Sequence, residues 1–160
     1  MNENAKTPGR DDAKNNNPLC DSAPLRHCVN YHRVNSENEI SREIVSCAIE
    51  VHRTFGGPGL LESVYEEALA WELAQQGMKV ERQVSLPISY KEHILNSRLR
   101  IDLIVDGKVI IECKATTKYN EIFEVQVLTY LRLTDLKLGI VINFGERLVK
   151  DGIHRVVNGL

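Results

Sequence analysis

The sequence has no hydrophobic run of the roughly 20 residues that a membrane-spanning helix needs, and its first residues lack the apolar stretch of a secretory signal. It also has no excess of basic residues: 20 Lys and Arg stand against 22 Asp and Glu, which gives a net charge of −2. Such a chain has no overall positive field that would attract nucleic acid. This net charge is still compatible with a local basic groove. We therefore expect a cytoplasmic protein without a membrane partner.

Cysteine is scarce, and no two cysteines have the CxxC spacing of a redox or zinc motif. Cys47 and Cys113 fall within apolar patterns, which predicts buried, reduced thiols. Cys20 and Cys28 match the spacing of no common zinc module.

The chain divides into a polar tail and one domain. Residues 1–35 are rich in Asn, Asp and Pro and contain few large apolar residues, which predicts a disordered tail. Residues 36–160 predict an α/β domain of order ααβββαββ, with a mixed sheet of four or five strands flanked by helices. The predicted helices run from a capping box at Ser36 to before Gly56, from Pro58 to Gly77, and over 120–134; the predicted strands cover 79–90, 94–105, 109–115, 138–143 and 147–157.

The most informative segment is a predicted hairpin around Asp106-Gly107. Because strand side chains alternate, one face of the first strand should carry Ile101, Leu103 and Val105, and the other face Arg100, Asp102 and Ile104. In the second strand, Val109, Ile111 and Cys113 should share the apolar face, leaving Ile110, Glu112 and Lys114 opposite. Each strand thus has one wholly apolar face and one face that carries charge.

The register decides whether the charged residues meet. The two apolar faces coincide only if the numbers of paired residues sum to an even number, which a two-residue turn would not give. A bulge, or a three-residue turn with Gly107 in the left-handed conformation, restores the even sum. We therefore expect Asp102 near Glu112, and Arg100 near Lys114. This arrangement suits either a metal site beside a cation or a salt-bridge cluster at the sheet edge.

These residues resemble a known catalytic pattern. Asp102 followed by Glu112-Cys113-Lys114 resembles the (D/E)xK core of the PD-(D/E)XK nuclease superfamily, and the order of elements matches as well. Gly59-Leu60-Leu61-Glu62-Ser63-Val64-Tyr65 is similar to the motif that names the GxxExxY proteins within that superfamily. The resemblance covers roughly residues 39–160. It implies a restriction-endonuclease-like fold.

The resemblance also implies roles for individual residues. Asp102 and Glu112 would be carboxylate ligands of Mg²⁺ or Mn²⁺, which prefer oxygen donors. Lys114 would act on the attacking water and stabilise negative charge. Glu62 would be a further catalytic acid, although an acidic residue in the first helical turn also complements the helix dipole. Gln126 would face the site, unless it is a surface glutamine.

Three further residues are candidate substrate contacts. Arg100 could bind a phosphate through its planar guanidinium group or pair with Asp102 or Glu112. His52 could line the cleft or complement the end of its helix. Tyr65 could reach the substrate or serve packing and hydrogen bonding.

Taken together, these residues predict a metal-dependent nuclease that hydrolyses phosphodiester bonds, in DNA rather than RNA. Nucleic acid is thus the expected partner, and a homodimer is an open option. One alternative is a catalytically inactive binding module that keeps the nuclease fold and works through a protein or nucleic-acid partner. A second is hydrolysis of a small phosphate compound.

Overall fold

The structure, a computed structural model, describes residues 36–160. The predicted tail, residues 1–35, lies outside the described residues, so its disorder stays a prediction. Within the described part the order is ααβββαββ, as predicted. The helices are α1 (Glu37–Thr54), α2 (Glu62–Gln75) and α3 (Ile122–Thr134); the strands are β1 (Val80–Tyr90), β2 (His93–Val105), β3 (Val109–Lys114), β4 (Leu138–Asn143) and β5 (Ile153–Val157).

The five strands form one mixed sheet in the order β1-β2-β3-β4-β5. β3 and β4 are parallel and the other neighbours are antiparallel, so α3 is the crossover between the two parallel strands. α1 and α2 cover one face of the sheet with a large apolar cluster, and α3 covers the other with a smaller one. This arrangement confirms the predicted α/β fold, a mixed sheet flanked by helices.

The capping box at the start of α1 is present. Ser36 Oγ accepts a hydrogen bond from the Glu39 backbone N–H, while a Glu39 side-chain oxygen accepts one from the Ser36 N–H at 2.8 Å. The thiols of Cys47 and Cys113 are buried as predicted.

Two boundaries differ from the prediction by more than two residues. α2 begins at Glu62 and not at Pro58, because the glycines on either side of that proline, Gly57 and Gly59, have φ values of 114° and 126°. These values belong to a turning loop and not to an α-helix. The last predicted strand is shorter, since a 3₁₀ helix (Val149–Gly152) precedes β5.

The β2–β3 turn has the predicted form. Val105 pairs with Val109, which gives the even sum, and Asp106 and Gly107 both lie in the left-handed region at φ 51° and 66°. Residues 106–108 form a three-residue connection, within which the Lys108 N–H donates to the Val105 carbonyl at 3.0 Å.

The predicted alternation along β2 is wrong at one point. Leu103 and Val105 pack under α1 and α2, but Ile101 packs in the cluster under α3 together with Ile104. The strand therefore changes face at Asp102. β1 changes face at the opposing position, where Gln83 has a φ of 51°.

Candidate active site

Asp102 lies where β2 and β3 separate. The last pair between these strands is Leu103 with Ile111, so Asp102 and Glu112 do not form the cross-strand pair that an unbroken ladder would give. Instead, Asp102 Oδ2 accepts the backbone N–H of Cys113 at 2.9 Å. The carboxylate thus replaces a ladder hydrogen bond and is held against β3 beside Glu112.

Glu112 and Lys114 project from the same face of β3. Lys114 Nζ donates to Glu112 Oε1 at 2.7 Å, and Gln126 Nε2 from α3 donates to the same oxygen at 3.0 Å. Gln126 Nε2 also lies 2.5 Å from the hydroxyl oxygen of Tyr130, one turn along α3. Glu112 is only 2 % exposed, and its Oε2 atom has no hydrogen-bond partner among the described residues. Gln126 therefore faces the site as the resemblance implied.

Glu62, the first residue of α2, also reaches this cluster. Its Oε1 atom lies 3.7 Å from Lys114 Nζ, so Lys114 stands between two carboxylates from different elements. The Lys114 side chain is 15 % exposed, and its Nζ lies 5.3 Å from the centre of the Phe123 ring. The structure thus brings together Asp102, Glu112, Lys114, Glu62 and Gln126 from β2, β3, α2 and α3.

Burial and crowding of charge shift the titration of this cluster. Burial raises the pKa of Glu112 to about 7; the hydrogen bond from Lys114 opposes that rise and the negative charge of Asp102 adds to it. Burial likewise raises the pKa of Glu62, against the opposing charge of Lys114. Burial alone would lower the pKa of Lys114, but Glu112, Glu62 and Asp102 outweigh it and the pKa is raised. Lys114 is therefore cationic at neutral pH.

Arg100 lies beside Asp102 in the part of β2 that no longer pairs with β3, so it forms no cross-strand pair with Lys114. It lines a cavity of about 340 Å³ together with Asp102, Glu62 and Glu66. Arg100 forms no ion pair with another described residue. Its guanidinium group is thus available at the edge of the site.

Four residues of this cavity, Ser63, Glu66, Arg82 and Gln83, were missed by the sequence analysis. Glu66 is buried, accepts from Arg82 at 3.2 Å, and accepts from Gln83 Nε2 at 2.5 Å. Gln83 Nε2 also lies 3.4 Å from Asp102 Oδ1, so it bridges the two carboxylates. The spacing of Glu62 and Glu66, one turn apart on α2, was the available signal for Glu66. A glutamine and an arginine in a strand gave no comparable signal.

The other two candidate substrate contacts, Tyr65 and His52, do not line this cavity, and a role at the substrate stays a prediction for both. Tyr65 is fully buried, donates to the Gly57 carbonyl at 2.8 Å and stacks on Phe144 with 4.6 Å between ring centres. His52 is 6 % exposed, and its Nε2 lies 3.0 Å from the Glu146 carbonyl. Both side chains are enclosed by the fold and hold loops in place, so neither touches the cavity beside Asp102.

The donor atoms fit a hard divalent cation. Among the described residues, no three Asp, Glu, His or Cys side chains converge into a complete protein cage for a metal. Mg²⁺ does not need such a cage, because it keeps several waters and binds through one or two carboxylates. Asp102 and Glu112 supply two adjacent carboxylates, and the buried Glu112 Oε2 atom lacks a partner that a cation would provide.

Comparison with known proteins identifies the family. Residues 38–156 match a model of the PD-(D/E)XK nuclease superfamily. The matched range includes all three helices and reaches into the last strand of the sheet. No curated protein and no solved structure matches the chain significantly. The narrower assignment to the GxxExxY proteins stays a prediction. Within residues 36–160, each helix is too short or too polar to cross a membrane. Nucleases of this superfamily generally use divalent metal ions, and this chain belongs to that superfamily.

Proposed function

We propose that the protein is a nuclease that hydrolyses phosphodiester bonds with the help of Mg²⁺ or Mn²⁺, and that DNA rather than RNA is its substrate. The observation that carries the proposal is the buried Glu112 carboxylate, with one oxygen bound by Lys114 and Gln126 and the other without a partner. A buried carboxylate oxygen is costly to leave unpaired, which favours a site that is completed by a ligand.

Each residue has a distinct task in this proposal. Asp102 and Glu112 would hold the cation, which, when bound, polarises the phosphate and favours ionisation of the attacking water. Lys114 would stabilise the negative charge that develops on the phosphate, because its pKa is raised and it stays protonated. Glu62 would hold the Lys114 ammonium group in place, and Gln126 would orient Glu112.

A cleavage assay tests the proposal. Wild-type protein and Asp102→Asn are incubated with labelled single- and double-stranded DNA and RNA, in Mg²⁺, Mn²⁺ or EDTA. We expect the wild type to cut DNA in the presence of either cation and not in EDTA, and Asp102→Asn to lose that activity while it stays folded. If wild type binds nucleic acid but cuts none of these substrates, the inactive binding module replaces the nuclease.

A further inference from the structure

The β1–β2 hairpin extends beyond the rest of the sheet. β3 pairs with β2 only at residues 103–105, so residues 85–100, here called the arm, form a two-stranded ribbon of β1 and β2. The register shifts between Pro87 and Ser89, where the extra residues of β2 form a bulge. Bulges bend a ribbon and increase its twist. The arm is therefore a curved projection at the edge of the candidate active site.

One face of the arm is apolar and covered at its base. Leu86 and Leu99 are paired across the ribbon and pack in the cluster under α3. Because side chains alternate, the residues paired next to them, Ser85 with Arg100 and Pro87 with Arg98, point to the opposite face. All four of these residues are exposed. At the base of the arm, α2 lies beside this second face, where Glu62 and Glu66 line the same cavity as Arg100.

The open face carries positive charge that continues into the site. The arm contains Lys91, Arg98 and Arg100 against Glu92 alone, whereas the whole chain has a net charge of −2. Arg98 and Arg100 form no ion pair with the described residues. Arg100 also lines the cavity that contains Asp102. The basic face is therefore continuous with the proposed catalytic centre, where a phosphodiester would bind.

The shape of the arm selects among nucleic acids. A two-stranded β-ribbon fits the major groove of B-form DNA, whereas the corresponding groove of duplex RNA is too deep and narrow for it. Proteins that bind single strands stack successive bases on a row of aromatic rings. Between residues 85 and 100 the sequence has one Phe, Tyr or Trp ring, that of Tyr90, which is 64 % exposed at the tip of the arm. An arginine face without a row of rings favours a duplex.

We infer that the arm is a binding element for duplex DNA, with Arg98 and Arg100 contacting phosphates of the backbone that leads into the site. The inference rests on the proposed nuclease function for the identity of the ligand. Arginine suits this role because its planar fork binds two phosphate oxygens at once.

The test measures binding of the full chain in EDTA, so that cleavage does not contribute. Affinity for fluorescein-labelled duplex DNA, single-stranded DNA and duplex RNA is measured over a series of salt concentrations. The variants are Arg98→Gln/Arg100→Gln and the control Arg42→Gln, which replaces an exposed arginine on α1. Circular dichroism and melting curves confirm that both variants are folded.

We expect the arm variant to lose at least about fivefold in affinity for duplex DNA at low salt, and its log–log salt slope to fall by about 1.8, or 0.9 for each lost phosphate contact. Arg42→Gln should match the wild type. The inference is overturned if the arm variant also matches the wild type, or if it weakens binding of single strands or duplex RNA as much as binding of duplex DNA.

Together with the cleavage assay, these binding measurements separate this inference from the nuclease proposal. If the wild type cuts DNA but the arm variant binds duplex DNA normally, the nuclease stands and the arm has no binding role. If the wild type never cuts DNA but the arm variant binds it weakly, the arm is a binding element of a protein without turnover.

Discussion

Substitution of Lys114 distinguishes a catalytic role in phosphate cleavage from a structural role in holding the site together. Lys114 is a cation held between Glu112 and Glu62, and it contributes no oxygen donor to a metal. We expect Lys114→Ala to reduce cleavage by at least about 100-fold, because charge stabilisation at the phosphate is lost. Divalent-ion binding should persist or tighten, since a neighbouring positive charge is removed. Titration calorimetry with Mn²⁺ and single-turnover cleavage measure the two effects.

The exposed residue Lys137 provides the control for this substitution. Lys137→Ala removes the same charge from the chain far from the site and should leave both measurements unchanged. Should Lys114→Ala lose ion binding and cleavage together, Lys114 would be needed to assemble the site and not to act on the phosphate.

Glu62 has two competing roles that the sequence alone left open. The contact with Lys114 at 3.7 Å favours a role in the site over a role restricted to the helix dipole. We expect Glu62→Gln to weaken Mn²⁺ binding, because it removes a negative charge close to the cation. Cleavage should also fall, because that charge helps to fix Lys114. A dipole role alone would cost at most about 1 kcal/mol of stability and leave Mn²⁺ binding intact. Glu67→Gln, on the exposed side of α2, is the matched control.

The raised pKa of Glu112 makes the stability of the cation-free protein depend on pH. Its pKa is about 7 in the folded protein against an ordinary value of 4.5, so the folded state binds more protons between these values. The stability linked to this proton is fully present below pH 4.5 and is lost as the pH rises through 7. We expect a loss on the order of 1–3 kcal/mol across that interval.

Urea denaturation in EDTA at a series of pH values measures this loss. Glu112→Gln cannot ionise at that position, so its stability should change less over the same interval. Equal pH dependence in the two proteins would show that Glu112 titrates near its ordinary value.

At the scale of the elements, the sequence correctly predicted the features that depend on local patterns, such as strand register. The even register of β2 with β3 follows from matching apolar faces, and the structure pairs Val105 with Val109 as predicted. The change of face at Asp102 was not predictable in the same way. At this point Gln83 on β1 contacts both Asp102 and Glu66 on α2, and the sequence does not reveal that these residues meet. Long-range contacts of this kind override the period of two.

The packing of α3 on the sheet positions Gln126 and depends on a glycine. A Cβ atom at Gly139 on β4 would lie 2.3 Å from Val127 Cγ1, which is closer than unbonded atoms approach. We expect Gly139→Ala to push α3 away from β4 and to destabilise the protein by about 1–3 kcal/mol. Cleavage should also fall, because Gln126 precedes Val127 and would move away from Glu112.

A double-mutant cycle checks the cause. Val127→Ala removes the clashing methyl group, so Gly139→Ala should cost less stability in the Val127→Ala background than in the wild type. Additive losses of unfolding free energy would show that the clash is relieved elsewhere and that Val127 does not limit the approach of α3.

At the scale of the whole molecule, average properties were poor guides to the site. The net charge of −2 gave no indication of nucleic-acid binding, yet the arm concentrates arginine on one open face. The net charge of the whole chain does not reveal this local basic surface, because acidic residues elsewhere in the sequence offset its positive charge. The element order predicted the fold better, since each helix and strand has its own periodic signal.

The described domain has the features of a unit that folds without residues 1–34. The capping box at Ser36 satisfies the start of α1 from within the domain, and residues 1–35 contain few large apolar residues that could add to a core. We expect a protein that starts at residue 35, which keeps an amide at Ser36, to melt within about 4 °C of the full chain. Cation binding and cleavage should be unchanged, because the proposed site residues lie between Glu62 and Gln126.

Differential scanning calorimetry of both proteins tests this expectation. Ser36→Ala in the shortened chain is the sensitivity control, since loss of the cap should cost about 1 kcal/mol and shift the melting temperature by a few degrees. If the shortened chain melts much lower than the full chain while the Ser36→Ala shift is small, the first 34 residues contribute to the stability of the domain. A fall in cleavage at unchanged melting temperature would instead assign those residues a role in binding the substrate.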